Sequence, residues 1–242
     1  PTPARADHAR SQLRSALAVR VAPPPIAPPD ERGRAKALRS IRAEGRGLRW
    51  VTAVTDFERE QLGLAVRAFG RYAQAATDVP ELVVLVAGPW VEEAQAIATA
   101  YAPGAHLTVL PLSGAAALRT ALASAQAAFF PLAAAEPRRG EGLTWAAWTA
   151  ASLGLPMVLG RAPATVDGLL DHQHALLAEP NEEALAARMQ FLAARPYIWP
   201  TLGETALGLV TGRLAFDRAC DIPFEVYRQV LRARPLPAVA NS

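Results

Sequence analysis

From residue 48 onward the chain alternates short, almost uninterrupted apolar runs with longer segments of helical spacing, and few folds accept that pattern. The runs are "LRWVTAV" (48–54), "ELVVLVAG", "HLTVLPL", "AAFFPL", "PMVLG" and "HALLA". A strand apolar at nearly every position must be covered on both faces, the condition of a parallel sheet held between two layers of helices. Between the runs, Leu62, Val66, Phe69 and Ala73 fall at i, i+4, i+7 and i+11, one stripe along a helix. "WVEEAQAIATAY" and "GAAALRTALASA" predict two more helices. In "PNEEALAARMQFLAAR", Asn181 is placed to cap a helix whose first turn holds Glu182 and Glu183 and whose inward positions are Leu185, Met189 and Leu192. Further helices are expected over 200–212 and 217–233. The fold class that follows is α/β, a Rossmann-like parallel sheet covered by helices on both faces.

The stretch "VAPPPIAPPDERG" (21–33) breaks this texture, because clustered prolines favour extended backbone and do not sit inside helices. Residues 1–46 therefore read as a Pro/Arg-rich arm or interdomain linker with short helices at 7–17 and 31–44. Residues 47–233 read as the folded domain and 234–242 as a tail. The chain opens at Pro1 rather than at a methionine and is expected to be a trimmed or partial product.

Composition narrows the function classes. With 242 residues, 51% of them hydrophobic, the chain suits one large domain with extensions. The single cysteine, Cys220, excludes an internal disulfide and any cysteine-based zinc site, fits a reducing compartment, and reads as a small buried hydrophobe. The net charge is +3 and Lys36 is the sole lysine; the basic excess clusters before residue 50. That patch lacks interleaved aromatics and any nucleic-acid motif, so a solvated face is favoured over nucleic acid, with a peripheral seat on an anionic membrane left open. "WAAWTAASLGLPMVLG" is too short to span a bilayer and is interrupted by Gly154 and Pro156, so no transmembrane segment is expected and the location is read as cytoplasmic.

Ligands of such sheets bind beyond the carboxyl ends of the strands, near helix N-termini. Three loops fall there: 87–90, 131–142 and 160–165. The second is longer than an ordinary strand-to-helix connection and carries Arg138, Arg139 and Glu141, with Gly142, Leu143 and Thr144 opening the next helix. Paired arginines offer forked donors suited to phosphate, and the helix start offers free amides. Trp90, after Gly88 and Pro89, is placed either to stack on a base or a sugar or to pack at the helix start. Trp145 and Trp148, three apart, share a helix face and read as packing. His172 and His174 lack a third ligand cluster, so no metal site is expected. No Gly-x-Ser-x-Gly elbow, Gly-x-Gly-x-x-Gly turn or Walker loop occurs, which argues against hydrolase, dinucleotide and ATP chemistry.

The order of these pieces resembles the donor-binding C-terminal domain of group 1 glycosyltransferases, retaining enzymes of GT-B architecture. The matching pieces are Gly88–Pro89 after the second strand, Phe130–Pro131 closing the fourth, Glu141–Gly142, Gly154–Leu155–Pro156, "HALLAEPNEEALA" and the closing "FDRACDIPFEVYRQVL". The resemblance covers roughly 48–231. It implies that Glu141 is the catalytic-site carboxylate beside the transferred sugar. It implies donor contacts at Gly88, Pro89, Gly142, Leu143, Thr144 and Thr149. Trp90, Arg138 and Arg139 join these as donor-binding candidates by their own chemistry, the two arginines either compensating for missing family cations or simply solvated. The substrate implied is a nucleotide-diphosphate sugar, with no metal or cofactor, and an N-terminal acceptor domain or partner subunit is implied outside this chain.

Three departures from the family pattern stand out. Thr149 occupies the second position of the family's Glu-x7-Glu, where a carboxylate grips the ribose hydroxyls. Thr55 and Glu60 fall near the positions where, in the family, an arginine and a lysine neutralise the leaving diphosphate. The two readings are thus a donor-binding half of a sugar-transferring enzyme, and a non-catalytic domain of the same fold used for binding or assembly.

Overall fold

A computed structural model describes residues 47–54, 59–86, 88–131, 141–161 and 169–213. The arm, Thr55, the loop bearing Arg138 and Arg139, Cys220 and the helix expected at 217–233 lie outside the described residues.

The six apolar runs form six strands: β1 (Arg49–Val54), β2 (Glu81–Val86), β3 (His106–Pro111), β4 (Ala127–Phe130), β5 (Met157–Gly160) and β6 (Leu176–Ala178). They make one parallel sheet in the order β3-β2-β1-β4-β5-β6. Among the described residues four α-helices connect strands, α1 (Arg59–Ala75), α2 (Val91–Tyr101), α3 (Ala115–Ala123) and α4 (Glu141–Ser152), and two follow β6, α5 (Glu182–Ala193) and α6 (Trp199–Arg213). The expected α/β architecture is the observed one.

Successive strand residues point to opposite faces, and the two faces sort the helices. Trp50, Val54, Leu82, Val84, Phe129 and Val158 pack with α1, α2 and α5 through Leu62, Phe69, Ala94 and Met189. Val51, Ala53, Val83, Leu85, Phe130 and Leu159 pack with α3, α4 and α6 through Leu118, Leu122, Ala150 and Val210. Burying each large apolar side chain contributes about 1.5–3 kcal/mol, so two such layers dominate the stability. The stripe Leu62, Val66 and Phe69 is fully buried, as are Leu185, Met189 and Leu192. Asn181 caps α5 as expected, its Oδ1 accepting the Ala184 N–H at 2.9 Å.

Each strand is one or two residues shorter than its apolar run, and two of these shortened ends have a visible cause. β4 stops at Phe130, because Pro131 has no N–H to continue a ladder. β6 begins at Leu176 rather than His174, because His174 is held in the preceding turn. Its N–H donates to the Leu170 carbonyl, and its Nδ1 accepts the Leu170 N–H, each at 3.0 Å.

Tyr72 is buried on α1, edge-on to Trp50 with ring centroids 5.7 Å apart. Burial pushes its phenol above the ordinary 10.0, with the negative charge of Asp78 acting in the same direction and the Trp50 indole opposing. A group whose folded pKa is raised contributes stability that is complete below its unfolded pKa and is lost as pH rises through the folded value. Stability should therefore decline on the alkaline side of pH 10. Thermal melts between pH 8 and 11 should show a shallower decline for Tyr72→Phe than for the parent chain. Parallel curves would assign the alkaline loss to other groups.

Candidate functional site

The sheet order reverses between β1 and β4: the chain works outward through β2 and β3, then returns to build β4, β5 and β6 on the other side. At such a point the connections leaving two adjacent strands diverge to opposite faces and open a crevice beyond their carboxyl ends. The helices that start at this edge are α1 after β1 and α4 after β4, one on each face. Since β5 is parallel to β4, α4 must run from the carboxyl edge back to the amino edge, which puts the backbone of Glu141, Gly142, Leu143 and Thr144, its first turn, at the crevice. The first-turn amides, which have no partner within the helix, and the positive end of a twelve-residue helix dipole thus lie at this edge.

Gly88, Pro89 and Trp90 form a 3-10 turn leading into α2 from the end of β2. β1 lies between β2 and β4, so this turn sits about 10 Å along the edge from the end of β4, two strand spacings away. Trp90 is 41% exposed there. A Cβ at Gly88 would meet nothing within 4 Å, so this glycine is not demanded by a close backbone approach.

Across the crevice from α4, the first turn of α1 carries Arg59 and Glu60. Glu60 is exposed, and Arg59 forms an ion pair with Glu93 in the first turn of α2. The one described cation at the start of α1 is therefore committed to a neighbouring carboxylate. Thr149 lies two turns into α4, 3% exposed, and its carbonyl accepts from Ser152 Oγ at 2.7 Å. Residues 146–151 of α4 are all buried, so the helix is enclosed on most of its circumference and Thr149 presents little surface to a ligand. Trp148, expected to pack, is buried. Of the residues singled out in the sequence, the described backbone brings Glu141, Gly142, Leu143 and Thr144 to the crevice and sets Gly88, Pro89 and Trp90 to one side. Arg138 and Arg139 lie outside the described residues.

A second feature was not singled out in the sequence. Asp171 Oδ1 accepts the N–H groups of His172 (3.0 Å) and of Leu177 in β6 (2.8 Å), while Oδ2 accepts from Arg188 Nη2 on α5 at 3.1 Å. Arg188 Nη1 reaches His172 Nε2 at 2.9 Å; a guanidinium only donates, so Nε2 is the acceptor. The two histidines thus serve the turn before β6, His172 in a left-handed conformation (φ 59°) and His174 through its backbone-linked Nδ1. An aspartate ahead of a strand, with an arginine on the outer flank of the following helix, was the available signal. Truncating Asp171 strands a buried amide and an arginine, so Asp171→Ala should cost about 1–3 kcal/mol. Asp171→Asn, which keeps an acceptor, should cost less. Chemical denaturation measures both, and equal losses would contradict the assigned role.

Beside this turn, a cavity of about 460 Å³ opens between the end of β6 and the outer flank of α5, walled by Arg161, Glu179, Asp171, Arg188 and Phe191. Among the described residues no three His, Cys, Asp or Glu side chains gather as a metal site, and no helix is long and apolar enough to cross a membrane.

A parallel sheet with its strand order reversed between β1 and β4, with helices on both faces, defines a Rossmann-like domain. A model of the family described as glycosyl transferases group 1 matches residues 48–195, and the chain belongs to that family. No curated protein matches it. Among solved structures it is similar to the C-terminal domain of a group 1 glycosyl transferase from Francisella tularensis, at 12% identity and a TM-score of 0.58, covering 78% of this chain and 95% of that one. It is similar to sucrose-phosphate synthase from Thermosynechococcus elongatus at 18% identity and a TM-score of 0.72, covering 95% of this chain and 57% of that one. It is also similar to a TarM variant from S. aureus, solved with UDP among its ligands, at 8% identity and a TM-score of 0.71, covering 93% of this chain and 42% of that one. At these identities the likeness is one of fold. The chain spans nearly all of the isolated C-terminal domain but about half of the longer enzymes.

Proposed function

We propose that this chain is the donor-side domain of a GT-B glycosyltransferase whose diphosphate and ribose anchors have been eroded. The observation that supports a donor site is the first turn of α4, beginning at Glu141 beside the β1–β4 crevice, because free helix amides there suit the phosphates of a nucleotide sugar. In this reading Glu141 faces the transferred sugar, Arg138 and Arg139 approach the diphosphate, Trp90 bounds the site on the β2 side, and the reaction in the completed enzyme retains anomeric configuration. The acceptor is bound by a second domain or subunit, so this polypeptide alone transfers no sugar. Incubation with UDP- and GDP-sugars, followed by product analysis, should show no transfer; turnover by the isolated chain would overturn this division of labour.

One specific observation favours the second reading, a non-catalytic domain retained for binding or assembly. Glu60 is an exposed carboxylate in the first turn of α1, near the family's lysine position, and Arg59 beside it is held by Glu93. A negative charge repels a leaving diphosphate where a positive one would stabilise it. The near-complete burial of Thr149 points the same way, since a ribose diol needs an accessible carboxylate and meets a covered hydroxyl.

A further inference from the structure

We draw no further inference here: the strongest candidate, the cavity between the end of β6 and the outer flank of α5, selects no ligand class, because the charges on its wall that are unpartnered among the described residues, Arg161 and Glu179, are of opposite sign and each one residue beyond the paired Gly160 and Ala178, while Asp171 and Arg188 are already joined to each other, so nothing in the structure shows what would cover it.

Discussion

Replacing Gly203 by alanine is expected to destabilise the domain by about 3 kcal/mol or more, a fall of roughly 6–12 °C in Tm. The reason is a single backbone contact. A Cβ built on Gly203 in α6 would lie 2.0 Å from the carbonyl oxygen of Gly154, which ends the α4 segment in a left-handed conformation (φ 69°). The obstacle is main chain, and it cannot rotate away as a flexible side chain can. Relief requires α6 to move off α4, and that would open the layer in which Ala146, Ala150, Ala206 and Val210 are buried. Gly208 in the same helix is the control: it is exposed and a Cβ there meets nothing within 4 Å, so Gly208→Ala should raise stability by up to about 1 kcal/mol through helix propensity. Calorimetric melts of the two variants should move in opposite directions. A Gly203→Ala protein melting with the parent would show that the α4–α6 contact does not form.

That contact illustrates what a linear reading misses. The inner strands were legible because they are buried on both faces and so are apolar at nearly every position; β1 and β2 each have five consecutive buried residues, whereas the edge strand β3 is buried only at Val109, against the expectation that every apolar run is covered on both sides. Helix α5 was legible down to its cap, since Asn181 and the following glutamates are local chemistry. Gly203 carries no comparable mark. A glycine inside a helical pattern looks the same whether it meets another backbone or only water, as Gly203 and Gly208 show. Asp171 was silent for a related reason: its partners, Leu177 and Arg188, lie 6 and 17 residues away and are joined only by the turn. At the crevice, the sequence placed the loops at the carboxyl edge because topology alone dictates it. It did not disclose that Thr149 is enclosed or that Arg59 is paired, both consequences of neighbouring helices.

Nucleotide-diphosphate affinity is expected to lie roughly two to four decades below that of a member with all its anchors. Two unit charges 4 Å apart in water interact by about 1 kcal/mol, and several-fold more in a partly desolvated cleft. In the proposed reading Glu60, near the family's lysine position, therefore acts twice, removing an attraction and adding a repulsion. The absent ribose carboxylate removes a charge-assisted hydrogen bond worth about 1.5–3 kcal/mol. Since about 1.4 kcal/mol is a factor of ten, the combined loss carries a micromolar ligand into the millimolar range. The structure makes Glu60 the cleaner site for reversal. It is exposed at a helix start, where a lysine fits without repacking, although a cation there gives up a small favourable helix-dipole term. Thr149→Glu forces a carboxylate into an enclosed position, so its folding must be checked before its binding is read.

The most direct measurement is calorimetric titration of the chain with UDP and with GDP, alongside Glu60→Lys. An eroded donor site predicts millimolar or undetectable binding by the parent chain and at least a tenfold gain from Glu60→Lys. Micromolar binding by the parent chain, abolished by Arg138→Ala together with Arg139→Ala, would contradict that account and show a donor site rebuilt on the loop arginines.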